Sequence, residues 1–217
     1  MKGISKFVGS AAVIAAFMLT ASQVSATNLV ANPGFETGDL TSWLTLGTGA
    51  GASITVQTPD NGPTAAGSFN AYMSNTLAAA NLALQQSTPL ASAGPGVLVN
   101  YSWDMKGSIS AVGGVFFVHI WPINATGGVI NQGPGLLGPF FPSNSSWTTT
   151  TGSFTTPAGT DHLEVEFDCT TGAGAGSAEA IHIDNVVLNV PSIPEPTTVT
   201  LVGLGLLGAI ALGRKRS

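Results

Sequence analysis

Three acidic side chains share one parity of the stretch from His162 to Asp168: Glu164, Glu166 and Asp168. On an extended strand, Glu164 and Glu166 stand about 6.6 Å apart on one face. Paired carboxylates near that separation are the equipment of glycoside hydrolysis, one as acid and the other as base or nucleophile. Alternate acids on a strand are also the ordinary way to wet its outer face, and that is the expectation adopted for this pair. His119, His162 and His182 are dispersed along the chain, with no Gly-x-Ser-x-Gly elbow and no His-Glu-x-x-His pair. Cys169 is the only cysteine, so no intramolecular disulfide can form, and it reads as a small buried residue. A non-catalytic chain is therefore expected.

Binding chemistry has more candidates. Sugar-binding surfaces stack aromatic faces on sugar rings and hold the hydroxyls with amides and carboxylates. Trp43, Tyr72, Trp121 and Trp147 are the candidates for such contacts. Trp103 shares a strand face with Val97, Val99, Tyr101 and Met105, which places it in the core instead.

The elements that must position these groups are strands. Residues 97–106 alternate apolar and polar, and residues 162–168 do the same, so each has one buried and one wet face. Residues 115–123 are apolar on both parities, which predicts a central strand covered on both sides. Threonine-rich 147–156 and the stretch 181–190 complete the set. A helix is predicted only around 77–84, and proline-rich 131–146 reads as a long surface loop. Short strands between Gly, Pro and Asn turns predict an all-β jelly-roll sandwich over 27–190.

The two ends differ from this body. Residues 1–26 have Lys2 and Lys6, an apolar run, and Val24-Ser25-Ala26 as a cleavage site, the form of a secretory signal peptide. Between residues 27 and 196 there are eleven acids and one base, Lys106, a net charge of −10. A body this acidic excludes nucleic acid and anionic lipid as partners and fits cation binding or solubility. Pro191, Pro194 and Pro196 favour an extended linker over 191–196. The segment 197–217 then reads as a membrane helix with a basic tail, since 199–212 is apolar and Arg214, Lys215 and Arg216 follow. Its apolar run of about 24 Å is marginal for a span, and the basic end stays on the cytoplasmic side. Gly203, Gly205 and Gly208 spell a dinucleotide fingerprint but lack its strand and acidic partner. They fit close helix packing in a membrane instead.

Pro194-Glu195-Pro196, the apolar helix and the basic stub, in that order at the terminus, resemble the PEP-CTERM protein-sorting signal. The resemblance implies recognition by an exosortase, a membrane protease-transpeptidase of Gram-negative bacteria that make exopolysaccharide. It further implies an inner-membrane intermediate and then a surface or matrix location, with a role in biofilm.

The body resembles the family 4/9-type carbohydrate-binding modules of the galactose-binding-domain-like jelly rolls. The matching residues are Asn32, Gly34, Phe35, Glu36 and Trp43 at the start, Leu84 to Gln86, and Asp184 in the last strand. The resemblance implies a structural calcium ion held by Glu36 and Asp184, with backbone oxygens near Asn32 and Asp60. Calcium takes 6–8 oxygen ligands and needs no sulfur or imidazole. The other reading is that both acids only bond to backbone at turns. The function expected is an exported surface or matrix protein with a possible carbohydrate-binding sandwich and exopolysaccharide as its partner. The alternatives are a purely structural matrix protein and, further off, a glycan hydrolase.

Overall fold

The computed structural model of the protein describes residues 26–58, 67–143 and 146–191. The expected signal peptide except Ala26, the membrane helix and sorting residues Pro194, Glu195, Pro196, Arg214, Lys215 and Arg216 lie outside these, as does Asp60. The described residues form eleven strands. In chain order they are β1 (Ala26–Asn28), β2 (Leu44–Leu46), β3 (Ala52–Gln57), β4 (Asn70–Asn75), β5 (Asn81–Ser87), β6 (Leu98–Ile109), β7 (Gly114–Ile123), β8 (Gly135–Phe140), β9 (Thr148–Thr155), β10 (His162–Thr171) and β11 (Glu179–Pro191). Two antiparallel sheets pack as a sandwich. One runs β3–β4–β11–β6–β9, with β1 also on β11, and the other runs β2–β5–β10–β7–β8.

Alternation builds the core. Val99, Trp103 and Met105 of β6 and Leu163, Val165, Phe167 and Cys169 of β10 all point inward and are buried, as their parity predicts. The Trp103 ring meets Phe140 and Phe167 edge-on, with centroids 5.7 and 5.9 Å away, the geometry aromatic quadrupoles favour. Gly107 sits where β6 and β11 approach closely. A Cβ there would lie 2.2 Å from the Ala180 carbonyl oxygen, so only glycine fits.

Strand β11 changes parity midway. Ile181 and Ile183 are buried, then Val186, Leu188 and Val190. A bulge against β6 between Asp184 and Val187 makes the switch. Asn185 takes the left-handed conformation there, φ 52°, which asparagine tolerates better than most residues. The Pro33 carbonyl accepts the Val186 amide at 2.9 Å, so the N-terminal segment covers the bulge.

Three expectations need correction. Residues 77–80 are a turn and residues 81–84 open β5, because Leu82 and Leu84 find partners on one inward face of a sheet. The stretch 131–146 contains edge strand β8, paired with β7, rather than one long loop. Strand β7 is covered on only one side: Phe116, Val118 and Ile120 are buried, while Phe117, His119 and Trp121 are half-buried on the outer face.

Candidate functional site

The outer face of the β2–β5–β10–β7–β8 sheet gathers a row of polar and acidic side chains. Strand β10 turns Glu164, Glu166 and Asp168 outward because the intervening residues serve the core. Strand β7 places Trp121 opposite Glu164 and His119 opposite Glu166. Strand β5, on the other flank, places Ser87 opposite Glu164 and Gln85 opposite Glu166.

Hydrogen bonds fix these groups. Gln85 Nε2 donates to Glu164 Oε1 at 2.7 Å, and Ser87 Oγ donates to Glu164 Oε2 at 2.9 Å. Asn81 Nδ2 donates to Asp168 Oδ1 at 2.9 Å. His119 Nε2 lies 3.0 Å from Asp168 Oδ2, and the His119 ring is stacked 4.9 Å from that of Trp121. Burial pushes the Glu166 carboxyl up to about 7, reinforced by its hydrogen bond to Asp168 and by the Asp168 and Glu164 charges. Leu44 and Leu46 on one edge and Leu136 on the other are exposed, so an apolar rim borders the polar strip.

Tyr72 and Trp147 lie on the opposite face of the molecule. Tyr72, His182 and Lys106 are cross-strand neighbours on β4, β11 and β6. The His182 ring is 4.6 Å from Tyr72 and 6.1 Å from Trp147, and Lys106 Nζ stands 5.1 Å above the Trp147 ring. His182 Nδ1 is 2.8 Å from Asn70 Oδ1. Burial, and then the Lys106 charge, depress the His182 pKa to about 4, so this imidazole is neutral at physiological pH. The aromatic faces of this row are already engaged by each other and by Lys106.

Trp43 is not a surface contact. It is 8% exposed and tilts against Phe35 at 5.4 Å and Phe167 at 6.2 Å. Its Nε1 donates to the Asn32 carbonyl at 3.2 Å, so its one polar atom is satisfied internally. Its expectation as a sugar-stacking residue is thereby corrected: a large ring five residues from the turn at Gly38 closes the end of the core.

Glu36 and Asp184 both approach Gly34. A Cβ on Gly34 would lie 3.4 Å from Asp184 Oδ1 and 3.6 Å from Glu36 Cγ. The Glu36 carboxylate accepts from the amides of Ser68 at 3.1 Å and Phe69 at 3.2 Å. Asp184 is fully buried and faces Asp104, also fully buried, across the β11–β6 ladder. Asp104 accepts from Asn185 Nδ2 at 2.6 Å and from Thr149 Oγ1 at 2.5 Å. Two buried carboxylates face each other across the ladder, oxygen donors of the kind that a hard cation takes.

The role of Asp104 was not expected from sequence, nor were those of His119, Gln85, Ser87 and Asn81. The even-odd pattern of Asn81, Ala83, Gln85 and Ser87 against Leu82 and Leu84 held the signal for β5, once that segment is read as a strand.

No curated protein matches the chain. Among solved structures, it is similar to the CBM22-1 xylan-binding domain of Paenibacillus barcinonensis Xyn10C. There the TM-score is 0.53 at 13% identity, over 80% of this chain and all of that domain. It is also similar to part of the enzymatically active domain of tailspike protein 4 from bacteriophage CBA120. That match has a TM-score of 0.60 at 17% identity, and spans 75% of this chain but 21% of the tailspike. A third match is the CBM22-1–GH10 xylanase 10B of Clostridium thermocellum, with a TM-score of 0.51 at 14% identity, over 76% of this chain and 29% of the enzyme. At these identities the likeness establishes an antiparallel β-sandwich. Residues 192–216 match the PEP-CTERM protein-sorting motif, so the chain is an exported one that carries a C-terminal sorting signal.

Proposed function

We propose that the protein is a non-catalytic, surface- or matrix-sorted polysaccharide-binding protein, and that the outer face of the β2–β5–β10–β7–β8 sheet is its ligand surface. The observation that carries this reading is the strip of Trp121, Glu164, Gln85 and Ser87. One aromatic ring stands beside carboxylate, amide and hydroxyl groups that are already held in place, which suits a sugar ring and its hydroxyls. Resemblance to the xylan-binding domain supports the ligand class. The opposite face has more aromatic rings, but Tyr72, His182, Trp147 and Lys106 engage one another in one row, whereas Trp121 gives one face to His119. The non-catalytic reading is supported by the acids: Glu164 is tied to Gln85 and Ser87, and Glu166 bonds to Asp168.

Two further parts belong to this proposal. An exosortase removes the tail near Glu195 and releases the body from the inner membrane. A calcium ion braces the covered bulge through Asp184 and Asp104, with Glu36 at its border.

Glycan arrays on the protein, including the host's own exopolysaccharide, test the ligand surface. Trp121→Ala should lose most binding, because the indole face that stacks on the sugar ring and its contact area are removed, whereas Trp147→Ala should retain it. Equal loss in both variants, or no glycan bound by the wild type, would overturn the assignment.

A further inference from the structure

We propose that His119, Glu166 and Asp168 hold a divalent transition-metal ion of the zinc class on the outer face of the β10–β7 pair. One ligand atom from each of the three lies within 4.8 Å of the others. The set combines one imidazole with two carboxylates, a mixture that suits zinc, cobalt or manganese better than calcium. The His119 Nε2 to Asp168 Oδ2 separation is 3.0 Å. Two ligands on a tetrahedral zinc at about 2.0–2.1 Å stand about 3.3 Å apart, so a small opening of this contact admits the ion.

The site is supported from outside. Asn81 Nδ2 holds the far oxygen of Asp168, leaving Oδ2 directed at His119. Stacking on Trp121 fixes the His119 ring plane. Without metal, Nε2–H donates to Asp168 Oδ2; when Nε2 binds the ion the proton moves to Nδ1, which is buried with no hydrogen-bond partner. The missing acceptor on Nδ1 also sets a limit, since such partners contribute roughly 10–100-fold in affinity.

Charge argues the same way. Glu164, Glu166 and Asp168 line one strand face, and the sequence has no Lys or Arg between Lys6 and Arg214 except Lys106. Lys106 lies on the outer face of the other sheet, beside Trp147 and His182. Partly buried carboxylates without a cationic side chain are compensated by a metal or by a proton. With three protein ligands the ion keeps open positions for water, the arrangement of a site that can take a further oxygen ligand.

The test is calorimetric titration of zinc chloride into the full chain, purified in detergent and freed of metal with EDTA. One ion per chain should bind. His119→Gln should weaken binding by more than the roughly 10–100-fold that a supporting residue costs, and Glu166→Gln should weaken it too. His182→Gln, on the other sheet, should leave it unchanged. Cobalt substitution should give the visible bands of a low-symmetry site, lost in His119→Gln. Absence of zinc binding, binding indifferent to His119→Gln, or displacement of zinc by equimolar calcium would overturn the proposal. No glycan enters these measurements, so their failure is separable from failure of the polysaccharide reading.

Discussion

Glu179 shows how one residue sets a pH dependence for the fold. It is 1% exposed, and neither carboxyl oxygen has a hydrogen-bond partner of good geometry. Burial raises its pKa from 4.5 to about 7, although the nearby Cys169 thiol and Val115 amide partly favour the charged form. The Cys169 thiol is itself pushed up by burial and then by the Glu179 charge, so it is not a nucleophile at neutral pH. A carboxyl with a raised folded pKa stabilises the fold fully below its unfolded value, and that contribution is lost as pH rises through the folded value. Stability should therefore fall between about pH 4.5 and 7, by up to about 3 kcal/mol from this group. Glu179→Gln should flatten the slope in urea melts taken across that range. Glu166 shifts in the same direction, so part of the slope should remain. A variant with an unchanged slope would show that Glu179 is not its source.

At the scale of elements, the bulge in β11 is the structural decision that matters most. It lets one strand serve the core with Ile181 and Ile183 and then with Val186, Leu188 and Val190. Asn185 enables it twice, by its φ of 52° and by the 2.6 Å bond from Nδ2 to Asp104. Asn185→Ala should cost about 2–4 kcal/mol, the sum of left-handed strain and a lost bond to a charged group. Asn185→Gly should recover the strain portion, and chemical denaturation of both variants separates the two effects. Equal stability of the alanine variant and wild type would count against this account. Gly107→Ala tests the neighbouring ladder: a Cβ 2.2 Å from the Ala180 carbonyl must push β6 from β11. A loss of about 1–3 kcal/mol is expected from such overpacking.

The whole molecule joins an address to a β-sandwich body. The sorting motif at residues 192–216 follows in sequence the strand β11 that ends at Pro191. Surface-localised protein should end near residue 196 by mass spectrometry, and Glu195→Ala should leave the full-length chain in the membrane. Intact Arg214 to Ser217 on the surface form would refute processing. The proposed calcium acts on global stability. At about 100 times its dissociation constant it would add about 2.7 kcal/mol. EGTA should then lower the melting temperature and Asp184→Asn should reproduce that loss, while a melting curve indifferent to EGTA would remove the ion from the account.

Local pattern was enough for much of this protein. The parity of β6 and β10, the burial of Trp103 and Cys169, and the sorting motif were all legible, because each depends on residues adjacent in the chain. The stretches 77–84 and 131–146 were misread because apolar spacing in a short segment suits more than one element until a neighbouring strand is present to pair with it. The aromatic candidates separated for a related reason. Sequence marks Trp43, Tyr72, Trp121 and Trp147 as large and amphipathic, but their surroundings come from other strands. Pairing put Trp43 inside against Phe35 and Phe167, Tyr72 and Trp147 on one outer face, and Trp121 on the other. The meeting of His119 with Glu166 and Asp168, nearly fifty residues apart, likewise depends on the register of β7 against β10. Register is a property of two strands together, set by which faces they bury, and no single segment carries it.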